Sequence, residues 1–305
     1  MPRFYEQLPA VLAEGQPFAL GIITATQGSS PQKRGAKALF FADGRMVGTL
    51  GGGCLEAEIQ DRARRALQTQ TPTTFELLLD HDFGWDDGLI CGGSVSGLIL
   101  PQAAQAVEIW HTLATGGAAL TWGVRPDFTI GWADASPADW LYQETVKPPC
   151  GLWIAGSGHI AQAVAPLALE VDFAVTVFDD RPALANHHYF PAATRFRVGY
   201  WEKLLAEPLP TTPTFGLMVT RGHRHDALVL RHWIRQPFAF LGMIGSQRKA
   251  RTLFTQLLED HIASEAELAK VACPVGLPIQ AQSVPEIAVS ILAQYIQKRA
   301  EWSEP

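Results

Sequence analysis

No run in this chain is long and apolar enough for a membrane span. The opening MPRFYEQLPAVLAEGQPF carries Glu6 and Glu14 where a signal peptide needs an apolar core. Basic charge is not in surplus either: 24 Lys and Arg stand against 30 Asp and Glu, a net charge of -6. A nucleic-acid scaffold needs a basic stripe, so that class is disfavoured, although a local anion site is not. Cysteine is scarce. Cys54, Cys91, Cys150 and Cys273 lie far apart without a C-x-x-C pair, so a disulfide framework and a closed zinc site both lack their spacing. Repeats and low-complexity tracts are absent. The expectation is a cytoplasmic globular protein with reduced thiols and with neither a nucleic-acid nor a membrane partner.

What is present suffices for two cores, because 305 residues exceed one comfortable domain and 47% of them are hydrophobic. The front half reads as α+β. Residues 4–13 read as a helix, and 18–24, 37–41 and 46–50 as strands, the last entered through the Asp43-Gly44 turn signal. A helix follows Gly51-Gly52-Gly53, with Leu55, Ile59, Ala63, Ala66 and Leu67 on one face. Further strands are expected at 73–79 and 95–100, a helix at 102–115, and a hairpin from 118–124 and 128–133. From residue 151 strands and helices alternate, the pattern of a parallel sheet. The chain is therefore expected to be α/β: a C-terminal Rossmann-like parallel sheet with helices on both faces, plus an N-terminal α+β domain. The boundaries are read as 1–135, a Pro-rich linker at 136–150, and 151–305. A last helix at 285–299 opens with Ser283 and Glu286 at capping-box spacing.

The chemistry-bearing motifs sit on turns. Gly156-Ser157-Gly158-His159-Ile160-Ala161 has the G-x-G-x-x-A form between a strand and a helix. Gly156 suits the tight turn, Gly158 the approach of a phosphate, and Ala161 close helix–sheet packing. Asp179 ends the next strand at the distance expected of a ribose-binding acid. Two later strand ends repeat the theme. Thr220-Arg221-Gly222-His223-Arg224-His225-Asp226 could bind an anion or shuttle a proton, and Gly245-Ser246-Gln247-Arg248-Lys249 suits a phosphate or carboxylate. In the front half, Gly51, Gly52 and Gly53 lead into Cys54 at a helix N-terminus. That setting favours a thiolate able to bind soft metals or carry sulfur, with glycine amides open to an anion. Cys91, in ICGGS, is a second candidate, while Cys150 and Cys273 read as structural. The polar, basic stretch 27–37 reads as a ligand-facing loop.

Taken together, these residues resemble the XdhC/CoxI family, the accessory proteins of xanthine dehydrogenase and related molybdenum hydroxylases. GSSPQKRGAKALF, DGRMVGTLGGGCLEAEI and GLICGGSVSGLIL are similar to its N-terminal module. IAGSGHIAQAVAPLA, VTVFDDRP, VTRGHRHDALVL, LGMIGSQRKAR and CPVGLPIQAQSVPEIAVSI are similar to its Rossmann module. Gln280 departs from the pattern, in which glycine is usual. The resemblance implies a protein that binds molybdenum cofactor, as molybdopterin or its cytidine dinucleotide form, and protects it. It would support sulfuration of the cofactor and deliver it to an apo molybdenum hydroxylase of the xanthine dehydrogenase type. It further implies a homodimer and contact with a cysteine desulfurase. The cofactor-binding candidates are then Gly51, Gly52, Gly53, Gly156, Ser157, Gly158, His159, Asp179, Arg221, His223, His225, Gly245, Ser246 and Arg248. Cys54 is the candidate molybdenum ligand, expected to face the crevice of the Rossmann domain with Cys91 near it.

A second reading is an NAD(P)-dependent oxidoreductase, with Gly156, Gly158 and Asp179 on the dinucleotide and His223 or His225 as acid–base. A third is an interaction module that only docks a dehydrogenase.

Overall fold

The computed structural model describes residues 4–30, 32–79, 93–133 and 140–303. The chain divides into two compact units at the Pro148–Pro149 junction. No helix of the described residues is long and apolar enough to cross a membrane.

The front unit runs α1 (Phe4–Ala13), β1 (Phe18–Gln27), β2 (Lys37–Phe41), β3 (Met46–Gly48), α2 (Gly53–Thr69), β4 (Thr73–Leu79) and β5 (Gly93–Leu100). A short 3-10 turn (Ala103–Gln105), α3 (Val107–Thr115), β6 (Leu120–Val124), β7 (Ile130–Trp132) and β8 (Tyr142–Val146) follow. An antiparallel sheet of order β3-β2-β1-β5-β4 and a second of order β7-β6-β8 make up its strands. β1 is a continuous apolar run because both of its faces are covered. Phe18, Leu20 and Ile22 pack with Leu8 and Val11 of α1 and Trp110 of α3, whereas Ala19 and Ile23 meet Leu55, Ile59 and Ala63 of α2.

A charged network lies inside this unit. Lys37, 8% exposed, places its Nζ 2.6 Å from Oε2 of Glu144. The same carboxylate oxygen accepts the hydroxyls of Tyr5 at 2.8 Å and Tyr142 at 2.9 Å. Burial lowers the Lys37 pKa even though Glu144 opposes it, and burial together with Glu144 pushes both tyrosines well above their ordinary value. Arg34 donates to the carbonyls of Thr24 and Gln143. The stretch read as a ligand-facing loop thus turns Arg34 and Lys37 onto the unit's own framework, while Lys33 is exposed.

Two expectations are corrected here. Part of the stretch read as a linker is β8, whose Tyr142, 2% exposed, enters the core through its pairing with β6. The helix read over 102–115 is broken, because the turn at Ala103–Gln105 closes i to i+3 bonds and the Trp110 indole takes the Ala103 carbonyl at 2.6 Å.

The back unit runs β9 (Cys150–Ala155), α4 (His159–Glu170), β10 (Phe173–Asp179), β11 (Arg195–Val198), α5 (Trp201–Leu204), β12 (Thr214–Met218) and α6 (His223–Trp233). It continues with β13 (Phe240–Met243), α7 (Gln247–Glu259), α8 (Glu265–Leu268), β14 (Val271–Ala272) and α9 (Val284–Ser303). All six strands are parallel, in the order β11-β10-β9-β12-β13-β14. Counted from β9 this is 3-2-1-4-5-6, the dinucleotide-binding order, with its switch point between β9 and β12. Leu152 and Ile154 pack under Val164 and Ala168 of α4 and Ile291 of α9, while Trp153 and Ala155 pack under Val229 and Trp233 of α6. Ala161 is fully buried, as close helix–sheet packing requires. The expected capping box on α9 forms: Glu286 N–H donates to Ser283 Oγ, and Ser283 N–H donates to Glu286 at 2.9 Å. β14 has only two residues, too few to leave a period in the sequence. Gln280 has φ of 60°, a left-handed backbone that explains why glycine would suit its position.

Candidate functional site

Ligands of open parallel sheets bind beyond the carboxyl ends of the strands at the switch point. Gly156 stands there with φ of 112°, and a Cβ on it would lie 2.5 Å from the Val219 carbonyl oxygen. Glycine at 156 is therefore required by the fold. Gly158 is different. Its φ of -74° is ordinary, and a Cβ would meet nothing within 4 Å. Gly158 is also the N-cap of α4 and offers no side-chain cap, so the first-turn amides lack the usual Ser, Thr, Asp or Asn oxygen. Across the switch point Gly222 repeats this for α6: it is an uncapped N-cap with open space where a Cβ would be. His159, Arg221, His223 and Arg224 are exposed or partly exposed around these two helix starts.

Asp179 does not have the freedom expected of a ribose-binding acid. It is 1% exposed. Its Oδ2 accepts Ser157 N–H and Ser157 Oγ at 2.7 Å each and Arg181 Nη2 at 2.8 Å. Oδ1 accepts Arg181 N–H at 2.9 Å and Arg181 Nε at 2.8 Å. Burial alone would raise this carboxyl's pKa, but the Arg181 and Ser157 hydrogen bonds outweigh it and hold the pKa far below the usual carboxylate range. Five donors fill a group with about four lone-pair directions, leaving none for a ribose hydroxyl. Asp179 and Ser157 are parts of the turn's scaffold. Arg181, which no motif singles out, is the third.

Asp226, read with the His and Arg cluster as part of an anion or proton site, is fully buried and faces inward. It accepts Thr220 Oγ1 at 2.7 Å and pairs with Lys249. Ser246, exposed, accepts the Lys249 N–H at 3.2 Å and so caps α7, which leaves its hydroxyl proton to donate elsewhere. Arg248 remains exposed beside it. Arg221 donates to Asp180 at 2.7 Å and lies 3.5 Å from His225 Nε2. The run Asp179-Asp180-Arg181 at the end of β10 was the available signal, since it sets two acids beside a base that contacts both.

In the front unit Gly51, Gly52 and Gly53 have φ of 116°, 79° and 60°, three left-handed residues in succession. The Gly51 N–H donates to Thr49 Oγ1 at 3.1 Å, and the first-turn acid Glu56 reaches back to the start of the same bend. Glu56 Oε1 accepts Thr49 Oγ1 at 2.6 Å and the Leu50 N–H at 2.7 Å. Desolvation raises the Glu56 pKa, yet the Thr49 hydroxyl and the Leu50, Gly52 and Gly51 amides bring it below its ordinary value. Cys54 follows in the first turn of α2, half-buried with a free thiol, while Leu55 enters the core. Cys91 lies outside the described residues. Cys150 and Cys273 are half-buried and pack against the two faces of the parallel sheet, and burial raises the Cys273 thiol's pKa.

The family model of the XdhC Rossmann domain matches residues 152–295, and that of the XdhC and CoxI family matches residues 11–79. Among similar proteins, a probable xanthine dehydrogenase subunit from Bacillus subtilis is 25% identical over 98% of both chains. The molybdenum cofactor insertion chaperone PaoD of Escherichia coli is 24% identical, over 96% of this chain and 87% of its own. A crystal structure of a xanthine dehydrogenase from Bacillus halodurans superposes with a TM-score of 0.84 and 27% identity, covering 99% of this chain and 98% of that one.

Proposed function

The chain belongs to the XdhC and CoxI family, and from that premise we propose that it is an accessory protein of a xanthine dehydrogenase-type molybdenum hydroxylase, with molybdenum cofactor as its cargo. It would bind the pterin cofactor as molybdopterin or its cytidine dinucleotide form, protect it during sulfuration by a cysteine desulfurase, and hand it to the apo-enzyme. It would do so in the cytoplasm, as a homodimer. A relative named for cofactor insertion, similar over nearly the whole chain, supports this reading.

The observation that carries the reading is Gly158. Neither its backbone angle nor its packing needs glycine, and the room left by the missing side chain lies at an uncapped helix start. Such a position suits a phosphate, which every form of this cofactor bears. The residues proposed to hold it are Gly156, Gly158, His159, Arg221, Gly222 and His223. Cys54 is the proposed sulfur- or metal-handling thiol, and bound cofactor supplies the metal and dithiolene chemistry. The engagement of Asp179 by five donors favours this reading over an NAD(P)-dependent oxidoreductase, whose ribose would need that acid free.

The test is purification from cells that make the cofactor, followed by molybdenum and pterin stoichiometry. Wild type is expected to retain both, Gly158→Trp to lose both, and Cys54→Ser to lose molybdenum or its sulfur; Cys91→Ser is measured beside them. Wild-type protein free of pterin, with saturable NADPH binding instead, would overturn the carrier reading.

A further inference from the structure

β9 lies between β10 and β12 in the sheet. Ladder bonds continue past its end on both sides: Gly156 N–H donates to the Phe178 carbonyl at 2.8 Å, and Val219 N–H donates to the Ala155 carbonyl at 2.9 Å. Asp180 follows β10 directly and Arg221 stands three residues beyond β12, so their 2.7 Å ion pair spans the strand end that begins the glycine turn. Neighbouring strands are about 4.8 Å apart, so the pair bridges two such spacings, roughly 10 Å of sheet edge.

The two consecutive acids differ in how firmly they are held. Asp179 is buried under five donors and cannot leave without breaking the turn. Asp180 is 26% exposed and Arg221 45% exposed; apart from that bond, Asp180 has Arg181 at 3.9 Å. An ion pair this open contributes about 0–1 kcal/mol, so releasing it costs little. A guanidinium bound to a phosphate makes a stronger, charge-assisted contact, and a helix N-terminus favours the same anion.

We propose that Arg221 is an anion ligand held in reserve by Asp180, and that a phosphate-type dianion seated at the α4 N-terminus displaces the carboxylate and takes the guanidinium. This rests on the reading of Gly156–Gly158 as a phosphate seat. The Asp180 carboxylate stands in for part of the ligand's charge while the seat is empty, so monovalent anions gain too little to exchange with it. The site selects phosphomonoesters and pyrophosphates.

Titration calorimetry with inorganic pyrophosphate at low ionic strength tests this on wild type, Asp180→Asn, Arg221→Gln, the double variant and Gly158→Trp. Arg221→Gln is expected to weaken binding about tenfold or more, the loss of one charged hydrogen bond. Asp180→Asn is expected to tighten it several-fold, and that gain should vanish in the Arg221→Gln background. A gain that persists there reports net charge alone and overturns the proposal. Wild-type binding that Gly158→Trp abolishes but neither charge variant alters also overturns it, while leaving the phosphate seat standing. No binding by any protein with Gly158 intact overturns both.

Discussion

The Asp179 carboxylate and Ser157 meet through two 2.7 Å hydrogen bonds, so the end of one strand grips the middle residue of the glycine turn on the next. Asp179→Ala would orphan two buried donors of Ser157 and release Arg181, at a cost of about 2–4 kcal/mol. Urea unfolding of the full chain measures it. The pH dependence follows from the depressed carboxyl. Its stabilisation is fully present above the unfolded Asp pKa and is lost as pH falls toward the folded value. The acid limb of the stability curve should therefore be shallower in Asp179→Asn than in wild type.

The glycines at 156 and 158 should respond in opposite ways. Gly156→Ala forces a Cβ against the Val219 carbonyl at a left-handed φ and should destabilise by about 2–4 kcal/mol. Gly158→Ala meets open space and should cost at most about 1 kcal/mol, because alanine is a poorer N-cap than glycine. Thermal unfolding separates them. Equal losses would mean that position 158 has a packing role after all.

In the front unit, Glu144→Ala should cost about 3 kcal/mol, because Lys37, Tyr5 and Tyr142 share one of its oxygens. Lys37→Met should cost less, since both tyrosines keep their acceptor. Denaturant midpoints of the two variants give the order, and the reverse order would show that the lysine organises the network.

Gln280→Gly should stabilise the protein by about 1 kcal/mol by relieving a left-handed backbone, raising Tm by about 2–4 °C. Differential scanning calorimetry checks the sign.

Much of this architecture was legible in the residues. The parallel sheet of the back unit followed from alternation, and Gly156, Gly158 and Ala161 fell where a strand–turn–helix needs them. β8 was obscured by flanking prolines, and β14 was too short to show a period. The site was less legible, because a motif tells which residue types gather and not which way they turn. Asp179 and Asp226 read as groups offered to a ligand, whereas Glu56 carried no such reading. All three point back into the chain, each collecting hydrogen bonds from a turn or helix start that would otherwise be unsatisfied. Contacts distant in sequence, such as Ser157 on Asp179 and Lys249 on Asp226, decide between those directions.

The self-tethered bend before α2 has one more implication. Its shape is held by three glycines and the Glu56 carboxylate, and among the described residues the half-buried side chain at 54 supplies neither a cap nor a core contact of the kind Leu55 makes. Serine, close to the thiol in size, is therefore expected to stand there with the surrounding backbone unmoved. A functional defect in such a variant would report the chemistry of a single atom rather than a disturbed loop.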